Sequence, residues 1–61
     1  MTYRIYFEFL NGYADETKVR GNKKLEATLK EMTESGNFRF ISYERKGEYG
    51  TVEYIDVLDV R

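Results

Sequence analysis

Between residues 38 and 57, large apolar side chains occupy both phases of the two-residue strand period. Phe38 and Phe40 share one parity and Ile41 and Tyr43 the other, and the same change recurs between Val52 and Tyr54 and Ile55 and Val57. A half-buried strand keeps its apolar residues on one phase. The segment therefore has more than one face to cover. Reading Gly47 and Glu48 as a two-residue type II′ turn, with Gly47 at the position that needs positive φ, pairs Lys46 with Tyr49. Tyr43 then falls opposite Val52, Ile41 opposite Tyr54, Phe40 opposite Ile55 and Phe38 opposite Val57, with Arg39 and Asp56 as an ion pair. In this register Phe38, Phe40, Ile55 and Val57 form one face, and Ile41, Tyr43, Val52 and Tyr54 the opposite one.

The N-terminal part is simpler. Tyr3, Ile5, Phe7 and Phe9 alternate with Arg4, Tyr6 and Glu8, the pattern of a strand with one buried face. Residues 11–15 are rich in turn formers, and Thr17, Lys18, Val19 and Arg20 alternate again, so the two segments read as a hairpin. Setting Phe9 against Thr17 and Phe7 against Val19 keeps the apolar face continuous and places Glu8 against Lys18. Asn22 is suited to cap a helix. Leu25, Thr28, Leu29 and Met32 then recur at three- and four-residue spacing as one narrow stripe, with Glu26 and Lys30 outside as a favourable i,i+4 pair. Gly36 is suited to close the helix in a left-handed conformation.

The pattern predicts a single α+β domain over 1–61 in the order β-β-α-β-β. Strands are expected at about 2–10, 16–20, 38–46 and 49–59 and a helix at about 23–35, with a mainly antiparallel four-stranded sheet and the helix on one face. The last strand, apolar on both sides, is expected in the sheet interior, and the strand order stays open.

One helix covers one face of a sheet. Its Leu25, Leu29 and Met32 stripe serves Ile5, Phe7, Phe9, Val19 and the Phe38 and Phe40 side. This leaves Tyr6, Ile41, Tyr43, Val52 and Tyr54 as a candidate interaction face, continued by Leu58 and Val60. Covering such side chains contributes roughly 1.5–3 kcal/mol each, which is large against the ~5–15 kcal/mol stability of an ordinary domain. A β-bulge near Tyr54 or Ile41 is the alternative, since it would turn all these residues toward one core. The change of side at paired positions in both strands favours the second face.

Composition excludes more chemistry than it suggests. The 61 residues include no Cys and no His, so disulfides, a thiolate nucleophile, the usual neutral-pH base and the common transition-metal ligands are all missing. Glu53 and Asp59 share a strand parity that Asp56 does not, so these acids do not converge on a cation, and no metal or other cofactor is expected. Gly47 and Gly50 are not followed by a helix, as a phosphate loop requires. Ten basic and 11 acidic residues leave a formal charge of −1, with no one-sided field to attract nucleic acid. No apolar run spans a bilayer and no signal-peptide pattern is present, so the cytoplasm is the expected compartment.

The run KGEYGTVEY at 46–54 resembles the main consensus of the RNA-recognition motif family, a basic residue, Gly, aromatic, Gly, aromatic, aliphatic, any residue, aromatic. IYFEFL at 5–10 is loosely similar to that family's first-strand motif. Glu48 is an insertion, Thr51 stands where the stacking aromatic belongs, and neither a second helix nor a final strand follows. What the resemblance implies is single-stranded nucleic acid on an aromatic sheet face, with Tyr6, Tyr43 and Tyr54 stacking bases and Arg4, Arg39 and Arg45 nearby. The preferred expectation is a non-enzymatic interaction module, a homodimer joined through the Tyr-rich face or a binder of another protein. Nucleic-acid binding and a small inhibitor encoded by a mobile element are the alternatives.

Overall fold

The structure, a computed structural model, describes residues 1–60. Its elements are β1 (Thr2–Phe9), β2 (Ala14–Arg20), α1 (Asn22–Ser35), β3 (Phe38–Lys46), a single 3-10 turn (Glu48–Gly50) and β4 (Val52–Asp59). The strands form one antiparallel sheet in the order β2-β1-β3-β4, and α1 lies across one face, packed on β2, β3 and β4. This is the small α+β architecture that the alternation and the helical stripe predict. The position of β4 is different from the expectation: it is an edge strand, not an interior one.

In the first hairpin Tyr3 stands opposite Val19, Ile5 opposite Thr17 and Phe7 opposite Asp15, a slip of four residues from the expected pairing. An even slip leaves every side chain on its expected face. The expected Glu8–Lys18 pair is lost. Lys18 faces Arg4, and Arg4 instead binds Glu16 at 3.2 Å. The tight turn explains the slip: Gly12 N–H donates to Phe9 O at 2.9 Å, Phe9 N–H donates to Tyr13 O at 2.8 Å, and Asn11 Oδ1 accepts from Tyr13 N–H at 3.0 Å. Strand pairing therefore resumes at Ala14, two residues earlier than expected.

Helix α1 begins one residue earlier than the sequence suggests. Gly21, with φ 89°, is the N-cap, and Leu25 N–H donates to its carbonyl at 3.1 Å. Asn22 is the first helical residue and makes no capping bond; its Oδ1 accepts from the Tyr3 hydroxyl at 3.2 Å. At the other end Gly36 adopts φ 73°, as expected of a left-handed C-cap. Leu25 is buried, and Leu29 and Met32 are half-buried against the sheet.

The second hairpin departs furthest from its expected form. Lys46 pairs with Val52, Glu44 with Tyr54 and Tyr43 with Ile55, a slip of three residues, and an odd slip exchanges faces. The loop closes around Tyr49 (φ 58°, ψ 26°) and Gly50 (φ 77°), with Thr51 N–H donating to Glu48 O at 3.2 Å. These angles describe a type I′ turn on Tyr49 and Gly50, not a type II′ turn on Gly47 and Glu48.

Two bulges then bring Phe38 and Leu58 to the helix side, while Val52, Tyr54 and Ile55 simply alternate between the two faces. In β3 the pairing with β1 runs Phe38 to Phe9 and Phe40 to Glu8, which leaves Arg39 as the extra residue. In β4 the pairing with β3 runs Asp56 to Ser42 and Leu58 to Ile41, which leaves Val57 extra. Each bulge shifts the phase of its strand by one residue. Phe38, Ile41 and Tyr43 consequently share the helix side with Ile55 and Leu58. Ile5 and Ile41 are wholly buried and form the core with Val19 and Leu25, with Tyr3, Phe7, Leu29, Met32, Phe38, Tyr43 and Leu58 packed around them. Arg39, re-aimed by its bulge, bonds Glu8 instead of the expected Asp56.

Candidate interaction face

The side of the sheet away from α1 is built by the alternate residues of all four strands. Arg4, Tyr6 and Glu8 come from β1, and their partners in β2 are Lys18, Glu16 and Ala14. Phe40, Ser42, Glu44 and Lys46 come from β3, with Asp59, Asp56, Tyr54 and Val52 opposite them in β4. Of the five residues expected on this face, Tyr6, Val52 and Tyr54 are here. Ile41 and Tyr43 are not: the bulges and the odd slip turn both toward the helix, where Ile41 is fully buried. Phe40, expected beneath the helix, takes a place on the open face instead. Leu58 goes inward with Ile41.

The apolar part of this face is a short aromatic stripe. Tyr6 and Tyr54 have ring centroids 6.1 Å apart, within the range of a favourable aromatic pair. Tyr54 is 64% exposed and Val52 51% exposed, while Tyr6 and Phe40 are half-buried. The Tyr6 hydroxyl donates to Glu44 Oε2 at 3.1 Å. Arg4 pulls the Tyr6 phenol toward ionisation, but desolvation and the Glu44 carboxylate outweigh it and hold the hydroxyl above its ordinary pKa. Tyr6 is therefore a fixed, neutral donor.

Charges on this face are sorted along the strands. Toward the β3–β4 turn, Arg4, Lys18 and Lys46 line an open cleft of about 340 Å³ with Thr2, Arg45, Gly50 and Val52, and Glu44 is the one acid there. Toward the opposite end stand Glu8, Glu16, Asp56 and Asp59, with Arg39, bonded to Glu8, the one cation among the described residues there. Arg4, Glu8 and Glu16 are engaged in ion pairs within the chain. Lys18, Lys46 and Asp56 form none with another described residue. Sequence reasoning missed this sorting. Glu16 and Lys18 carry the signal in their i,i+2 spacing, but it is readable only when the register is known.

Other possibilities are narrower. No group of acids among the described residues is placed to hold a metal ion. No helix among the described residues is long and apolar enough to cross a membrane. Tyr49, the first aromatic of the RNA-recognition-like run, stands in the turn and is 98% exposed, so it is not part of the sheet platform that the resemblance implies. Tyr43, the second expected stacking residue, packs on the helix side, edge-on to Tyr3. Both sheet edges are lined by charge: Asp15, Glu16, Lys18 and Arg20 in β2, and Glu53, Asp56 and Asp59 beside a bulge in β4. Such edges discourage strand addition, which makes the open face the better surface for contact. Comparison with protein-family models, curated proteins and solved structures finds no match.

Proposed function

We propose that this chain is a non-enzymatic interaction module that self-associates through the sheet face opposite α1. The observation that carries the reading is the Tyr6, Tyr54, Val52 and Phe40 stripe, lying on the side that the helix does not cover, with Tyr54 and Val52 more than half exposed. Tyrosine suits such a surface because it offers a large ring with a polar tip. The protein measures 36 × 21 × 15 Å. Three gaps of ~4.8 Å set the axes of the two outer strands roughly 14 Å apart, and eight-residue strands run roughly 27 Å.

Sedimentation from low to high micromolar concentration tests the reading. A dimer is expected, and Tyr54→Glu is expected to dissociate it with the circular dichroism of the native fold retained. A wild-type chain that stays monomeric at high micromolar concentration overturns it. The cleft lined by Arg4, Lys18, Arg45 and Lys46 beside Tyr54 favours one other reading, single-stranded nucleic acid on the same face. A labelled oligonucleotide bound by monomeric protein, with affinity falling steeply as salt rises, would assign the face to that ligand.

A further inference from the structure

We infer that two copies pack face to face with the two-fold axis running across the strands, so that the Lys18 and Lys46 end of each sheet lies over the Glu16 and Asp56 end of the other. The inference rests on the self-association proposed above and adds its geometry.

A symmetric face-to-face pair has two simple choices of axis in the interface plane. An axis parallel to the strands brings like ends together. Arg4, Lys18 and Lys46 of one copy would then confront the same cations, and Glu8, Glu16, Asp56 and Asp59 the same acids. An axis perpendicular to the strands inverts one sheet along its strand direction and sets cations over acids at both ends. The strands of the two sheets are then antiparallel, apart from the ~30° offset that sheet twist imposes on aligned packings.

The sorting of charge follows from the register. In the row through Arg4, Lys18 stands on one side and Glu44 and Tyr54 on the other. In the next row toward the far end, Tyr6 has Glu16 on one side and Ser42 and Asp56 on the other. Tyr6 and Tyr54 thus occupy the boundary between the cationic and acidic ends. Under the perpendicular axis this boundary maps onto itself, and the aromatic pairs of the two copies meet at the centre. Lys18, Lys46 and Asp56, which have no ion-pair partner among the described residues, gain partners at both ends. Complementary ends also select against the alternative axis, because juxtaposed like charges are unfavourable in a contact that excludes water.

Two charge-inverted chains test the geometry. Lys18→Glu with Lys46→Glu makes both ends acidic, and Glu16→Lys with Asp56→Lys makes both ends basic. Circular dichroism checks that each variant keeps the native fold. At low salt each variant alone is expected to dimerise at least tenfold more weakly than wild type. An equimolar mixture is expected to restore dimer, and the wild-type affinity is expected to fall as salt screens the end contacts. If the wild type dimerises with an affinity that is unchanged or rises with salt, the perpendicular axis is wrong while self-association stands. The axis is equally wrong if the variants dimerise like wild type or the mixture fails to restore dimer. A wild type that is monomeric throughout overturns both.

Discussion

Tyr49 holds φ 58° at the tip of the second hairpin, and it is the one residue other than glycine with positive φ among those described. The left-handed region costs a side-chain-bearing residue about 1–2 kcal/mol, and the exposed ring gains no packing in return. Asn and Gly are the residues that type I′ turns favour. Gly47 has the opposite problem: its φ of −87° is ordinary, but a Cβ there would lie 2.7 Å from Thr51 Oγ1, which is committed to Glu48 O. Gly50 thus supplies the positive φ expected of Gly47, and Gly47 is needed for close approach instead. Tyr49→Asn is expected to raise stability by about 0.5–1 kcal/mol. Gly47→Ala is expected to lower it by on the order of 1 kcal/mol, against the usual gain from replacing glycine. Urea denaturation of both variants checks the pair, and a stabilising Gly47→Ala would contradict the turn. Neither role was legible beforehand, because a run with Gly at 47 and 50 supports two turns and the local preference of Tyr disfavours the real one.

The packing of β4 against β3 decides between those turns. With the turn on Tyr49 and Gly50, Ile55 comes beside Tyr43 and Leu58 beside Ile41, all on the helix side. The elements themselves, their order and the buried phase of β1 and β2 were legible, since alternation and a 3.6-residue stripe are local signals and an even register slip does not disturb them. The side of β3 and β4 was not. The bulge at Arg39 puts Phe38 on the side of Ile41 and Tyr43, and the odd slip of β4 moves Val52 and Tyr54 to the other face from them; neither is a local signal, so Ile41 and Tyr43 read as outward residues. Deleting Val57 tests the bulge as an element. Without the extra residue, Leu58 follows Asp56 directly and still meets Ile41 on the helix side, now in a regular ladder. The deletion and Val57→Ala are therefore both expected to change stability by less than about 1 kcal/mol. A deletion that costs the roughly 1.5–3 kcal/mol of a buried leucine in thermal unfolding would show that Val57 belongs to the regular alternation and would contradict the bulge.

At the scale of the whole molecule, the wholly apolar interior is thin. Among the described residues only Ile5, Val19, Leu25 and Ile41 are buried hydrophobics, and the chain has no cysteine to staple it. A chain of this length buries only about 60% of the surface it exposes when unfolded, so surface covered by a second copy weighs heavily in its stability. Linkage turns this into a measurable quantity. If the native state is a dimer that unfolds to two chains, each tenfold rise in protein concentration favours the native state by about 1.4 kcal/mol per dimer. Unfolding entropy is about 2.1 cal/mol/K per residue, or roughly 0.25 kcal/mol/K for two chains of this length. The melting temperature is therefore expected to rise by about 5 °C per tenfold concentration above the dissociation constant. Tyr54→Glu is expected to melt at a temperature independent of concentration, since its exposed ring contributes little to the fold of a single chain. A wild-type melting temperature that is also independent of concentration would mean that the helix-side core alone carries the fold and that the Tyr6 and Tyr54 face contributes nothing to it.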